Sequence, residues 1–64
     1  MKGTFFEIYL NGYLVETCML AGIAFLKYES AKLLGSASLR KIEQHPDPVL
    51  SGSYIYDDEL GGWA

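Results

Sequence analysis

The stretch Phe5-Phe6-Glu7-Ile8-Tyr9-Leu10-Asn11-Gly12-Tyr13-Leu14-Val15-Glu16-Thr17-Cys18 decides the fold. Asn-Gly between two apolar, β-favouring runs predicts a hairpin with a two-residue type I′ turn. Both turn positions need positive φ, which Asn and Gly adopt at least cost. Such a turn also fixes the register. It predicts Leu10 opposite Tyr13, Ile8 opposite Val15 and Phe6 opposite Thr17, on one almost wholly apolar side assigned to the core. The other side carries Phe5, Glu7, Tyr9, Leu14, Glu16 and Cys18, with Glu7 facing Glu16. Like charges across a ladder repel, so that pair belongs in water, or against a cation or a basic partner group.

From Met19 to Leu34 the chain turns to helix formers, and Gly35 follows as a C-terminal stop. Thr17 is the expected N-cap. At 100° per residue, Leu20, Gly22, Ile23, Ala24, Leu26, Ala31, Leu33 and Leu34 share one broad face, with Ser30, and with Lys27 reaching water from its rim. Ala21, Phe25, Tyr28, Glu29 and Lys32 lie opposite. Gly22 inside a helix costs about 1 kcal/mol relative to Ala, which predicts the close approach of another backbone. Phe25 and Tyr28 have two readings. Either the C-terminal segment folds over and covers them, or they form an exposed aromatic patch for a partner or a second copy.

Ser36 to Gln44 is short enough to be strand or helix by periodicity. A strand is preferred, since a lone hairpin is barely stable and a ββαβ layer gives the helix a sheet to cover. It would place Arg40, Ile42 and Gln44 on one side and Leu39, Lys41 and Glu43 on the other. His45-Pro46-Asp47-Pro48 ends that element, and Tyr54-Ile55-Tyr56 can add a fourth strand. Trp63 after Gly61-Gly62 is expected to dock. The expected fold class is α+β, a single domain over 1–64. It has an N-terminal β-hairpin, one helix on a three- or four-stranded antiparallel sheet, and a partly extended acidic and aromatic segment over 45–64. The expected core is Phe6, Ile8, Leu10, Val15, Ile23, Leu26, Leu34 and Ile42.

Composition narrows the function classes. A 64-residue chain holds one domain, and such a domain buries only about 60% of its unfolded surface. Yet 50% of the residues are hydrophobic and 14% aromatic, too many for a disordered chain. The surplus predicts an oligomer or partner interface, a homodimer among the options. The formal net charge is −3. Lys2, Lys27, Lys32, Arg40 and Lys41 are the only basic residues, which argues against nucleic acid and anionic membranes and favours a basic protein surface. Cys18 is the single cysteine. A secreted domain this small is normally stapled by disulfides, so the expectation is an intracellular, cytoplasmic protein. No signal-peptide pattern is seen. The longest uncharged run, Thr17 to Leu26, is well short of the about 20 residues needed to span a bilayer.

Asp57-Asp58-Glu59 is the densest charge. With Tyr54, Tyr56 and Trp63 around it, it forms an acidic and aromatic element suited to a basic partner. Those six residues, with Phe25 and Tyr28, are the candidate partner-binding set. His45 with Asp47 matches no closed zinc pattern. His45 with Ser51 and Ser53 has no assigned base or oxyanion donors. No phosphate or dinucleotide loop occurs, so neither cofactor nor metal is expected. The reading is a non-enzymatic protein-interaction module, in character like a small phage-type inhibitor that binds a basic surface of a host protein.

Ala31-Lys32-Leu33-Leu34-Gly35 followed by Ser38-Leu39-Arg40-Lys41 resembles the helix-turn-helix of excisionase-like winged-helix DNA-binding proteins. Gly52-Ser53-Tyr54-Ile55-Tyr56 with Trp63 resembles the wing strand and closing helix. The resemblance implies the alternative, a small DNA-binding accessory factor whose Arg40 and Lys41 contact DNA.

Overall fold

A computed structural model describes residues 3–47 and 51–64. The elements run β1 (Gly3–Leu10), β2 (Tyr13–Cys18), α1 (Ala21–Lys32), β3 (Ala37–Gln44), β4 (Gly52–Asp57) and β5 (Gly62–Trp63). The strands form one antiparallel sheet in the order β2-β1-β3-β4-β5, and α1 packs across one face of it. This is the expected α+β architecture with its N-terminal hairpin. β3 occupies the ambiguous segment and β4 includes Tyr54-Ile55-Tyr56. The fifth strand was not anticipated.

The turn forms as its chemistry dictates, with Asn11 at φ 53 and Gly12 at φ 88. Asn11 also ties the hairpin to the end of the helical segment. Its N–H donates to the Ser36 carbonyl at 2.7 Å, and its Oδ1 accepts the Ser36 N–H at 3.0 Å. Gly35 leaves room for this tether, because a Cβ there would stand 2.7 Å from Asn11 Oδ1 and push the amide aside.

The register departs from expectation beyond the turn. Leu10 faces Tyr13 and Tyr9 faces Leu14, but a bulge then pairs Ile8 with Glu16, Glu7 with Thr17 and Phe6 with Cys18. Val15 is the extra residue, and it is half exposed instead of buried. One inserted residue reverses the faces of the rest of the strand. Glu16 therefore swings to the helix side, where Lys27 Nζ meets its carboxylate at 3.2 Å. Cys18 replaces Thr17 opposite Phe6, and both are buried. The Glu7–Glu16 repulsion never arises. Glu7 instead accepts a bond from the Tyr9 hydroxyl at 3.1 Å and faces Arg40 of β3.

The helix sits on the sheet in a different phase from the expected one. Ala24, Tyr28 and Ala31 are buried, with Phe25 partly so, whereas Leu26 is 70% and Leu34 75% exposed. Ile23 is exposed as well. Small Ala24 and Ala31 bring the helix close to Ile8 and Leu39, while Phe25 and Tyr28 fill the wider space over β4 and β5. Of the expected core, Phe6 and Ile8 are buried and Leu10 packs against them. Ile42 is half-buried, and register puts it with Arg40 on the face opposite Leu39.

Three smaller expectations are corrected. Thr17 is not the N-cap. That position is Leu20, which makes no side-chain capping bond. The helix ends at Lys32, and Leu34 and Gly35 close it by donating to the Ala31 carbonyl. No atom lies within 4 Å of where a Gly22 Cβ would stand, so no backbone approaches it.

Ser38-Leu39-Arg40-Lys41 lies in β3, paired with β1 along its length. Among the described residues α1 is the one helix, so no recognition helix follows it. Beyond β3, His45 Nδ1 accepts the Asp47 N–H at 3.1 Å and the His45 N–H donates to Ser51 Oγ at 3.1 Å. Pro48 lies outside the described residues. No helix among them is long and apolar enough to cross a membrane.

Candidate functional site

The acidic run sits where β4 turns into β5. Tyr56 pairs with Trp63 and Asp57 with Gly62. Asp57 builds the turn: its Oδ1 accepts the N–H groups of Glu59 at 2.9 Å and Leu60 at 3.2 Å, and its carbonyl accepts from Gly61 at 2.8 Å. Gly61 takes φ 68, which a side chain would resist.

This turn presses an aromatic cluster against the helix. Phe25 meets Tyr56 edge-on with centroids 5.0 Å apart, Tyr56 meets Trp63 at 5.4 Å, and Trp63 reaches Phe25 and Phe6 at 6.0 Å each. The edge-to-face pairs Phe25–Tyr56 and Tyr56–Trp63 are favoured by the ring quadrupoles. Of the two readings of Phe25 and Tyr28, the covering one holds, and they do not form an exposed patch. Tyr28 is 4% exposed, and its hydroxyl donates to Asp58 Oδ2 at 2.8 Å. Burial, then the bond to Asp58, raises its pKa above the ordinary 10.0. Lys32 Nζ lies 3.5 Å from the same Asp58 oxygen, 3.1 Å from Glu29 and 4.7 Å from the Tyr28 ring centroid. The bond to Glu29 is the main cause that raises its pKa.

Between these groups opens a depression of about 400 Å³, lined by Tyr28, Ile55, Tyr56, Asp57, Asp58, Glu59 and Ala64. Five of the eight candidate residues therefore meet at one site. Phe25 and Trp63 lie behind it and support Tyr56. Tyr54 stands apart, with Lys41 Nζ 5.1 Å from its ring centroid and 5.0 Å from that of Trp63. Sequence reasoning missed Ile55, Ala64 and Lys32. The signal for Lys32 was present, because it stands one helical turn after Tyr28.

No family model, curated protein or solved structure matches this chain.

Function therefore rests on what the site can do chemically. Asp57, Asp58 and Glu59 line the depression, and the nearby cation Lys32 is shared between Asp58 and Glu29, which leaves the rim negative. The floor is aromatic and aliphatic. Asp57 holds the turn and Asp58 holds Tyr28, while Glu59 is exposed on the rim. Among the described residues no group of three or more His, Cys, Asp or Glu is placed to hold a metal ion.

Proposed function

We propose that the protein is a non-enzymatic protein-interaction module that receives a basic side chain of a partner protein in the depression beside the β4–β5 turn. The observation that carries this is the joining of an apolar floor, Tyr56 and Ile55, to an acidic rim, Asp57 to Glu59. A Lys or Arg side chain matches both parts. Its methylene stem lies on Tyr56 and Ile55, and its charged head meets the carboxylates. Occupying a basic surface of a host protein is how a small inhibitor acts, and the proposal extends to that role.

The DNA-binding alternative has less to draw on. Arg40 stacks on Tyr9, with its guanidinium carbon 5.4 Å from the ring centroid, and Lys41 pairs with Glu43 at 3.3 Å. Lys27 and Lys32 are tied to Glu16, Glu29 and Asp58. Phosphate recognition needs cations free to replace counterions.

Titrating the protein with an oligoarginine peptide tests the proposal, with Trp63 fluorescence as the readout. Saturable binding is expected, weakening as salt rises and strongly reduced in Asp58→Asn, Glu59→Gln. Equal binding by wild type and variant would show that the depression is not the site.

A further inference from the structure

The flank formed by β2 and the outer side of α1 is apolar and uncovered, at the opposite edge of the sheet from the acidic turn. We infer that a second copy of this chain covers it, in a two-fold symmetric dimer.

The flank is one surface because Lys27 of α1 bonds Glu16 of β2, which sets that side of the helix above the edge strand. It presents Tyr13, Val15, Leu20, Ile23, Leu26 and Leu34, all substantially exposed. Their exposed area is on the order of 700 Å², close to the roughly 800 Å² per partner of a standard interface before any polar rim is added. Monomeric proteins rarely leave so large an apolar patch in water. Its charges, Glu16 and Lys27, neutralise each other. The negative excess of the chain lies far off at Asp57 to Glu59, so two copies meet here without opposing like charges.

The sheet edges select the occupant and the symmetry. β2 has six residues without Pro or Lys, and its outer side faces no strand among the described residues. These are the features that leave an edge open to pairing. The other edge offers less: β5 has two residues, and Ile55 spends its outward backbone groups on Ala64 at 2.8 and 3.1 Å. Head-to-tail growth needs two different open edges. With β5 too short to pair at length, β2 meets β2 of the other copy, and the assembly closes as a dimer. The bulge at Val15 twists the edge, so the side chains of the flank, more than a long ladder, supply the contact.

The inference is independent of the acidic depression. It is tested by sedimentation equilibrium of the full chain over a wide concentration range. Wild type is expected at twice the 7.1 kDa chain mass. Ile23→Glu and Leu26→Glu put carboxylates into the seam from exposed positions. Each is expected to weaken the dimer about 100-fold or more, with far-UV circular dichroism unchanged. Val15→Lys on β2 does the same from the strand and serves if a helix variant misfolds. A wild type that sediments at the single-chain mass throughout overturns the inference. So does a dimer that persists in well-folded Leu26→Glu and Val15→Lys. Oligoarginine binding by the monomeric variants keeps this result separate from the fate of the acidic site.

Discussion

Replacing Asn11 with Ala should cost this domain a large share of its stability. Two losses combine. Asn11 sits at φ 53, where a Cβ without a compensating side chain is strained by roughly 1–2 kcal/mol. Its Oδ1 accepts the Ser36 N–H at 3.0 Å, a bond worth about 1 kcal/mol. Ser36 is exposed, so water recovers part of that bond, and the sum is about 2 kcal/mol. A domain of this length holds roughly 3–10 kcal/mol in all, and the melting temperature should fall by about 10 °C. Asn11→Gly separates the terms, because Gly accepts the φ but lacks the acceptor. It should lose about 1 kcal/mol. Asn11→Asp keeps both the acceptor and a tolerance for positive φ, and should lie within about 0.5 kcal/mol of wild type. Urea unfolding followed by circular dichroism gives all three values. An Ala variant as stable as wild type, or a Gly variant less stable than Ala, refutes the assignment of Asn11 as both turn former and tether.

Two further outcomes follow from the structure. Gly22→Ala should stabilise by about 0.5–1 kcal/mol, since the position is helical and open, and a lower urea midpoint would reveal a neighbour not seen here. Alkaline pH should weaken the fold through Tyr28. Its raised pKa means the unfolded chain ionises first. The contribution is therefore complete below pH 10.0 and lost as pH rises through the folded-state value. Urea midpoints compared between about pH 8 and about pH 11 should show a steeper loss in wild type than in Tyr28→Phe, and parallel curves would remove Tyr28 as the cause.

The elements were legible because the chain punctuates itself. Asn11-Gly12, Gly35 and His45-Pro46 mark ends that physical chemistry reads directly. The faces were less legible, for two physical reasons. A bulge costs one residue and leaves no composition signal, so Val15 and Glu16 were set on the wrong sides. The helix is apolar nearly all round, which leaves its phase to be decided by size. The sheet took Ala24 and Ala31 against its centre and the rings at its wide end, and left the leucines outside. Periodicity counts hydrophobicity and is blind to that fit. At the site, the gathering of Asp57 to Glu59 with Tyr56 followed from proximity in the chain. The bond from Tyr28 to Asp58 joins residues 30 apart, and only the folded helix brings them together.

Trp63 touches a ring from β1, a ring from α1 and a ring from β4. A chain still emerging from the ribosome can make the hairpin and the helix early, but it lacks the side chain that joins β1, α1 and β4 until Trp63 is free. Closing the aromatic core thus waits until Trp63 has emerged. A nascent chain stalled before Trp63 would present Phe6, Phe25 and Tyr56 uncovered, as a substrate for chaperones.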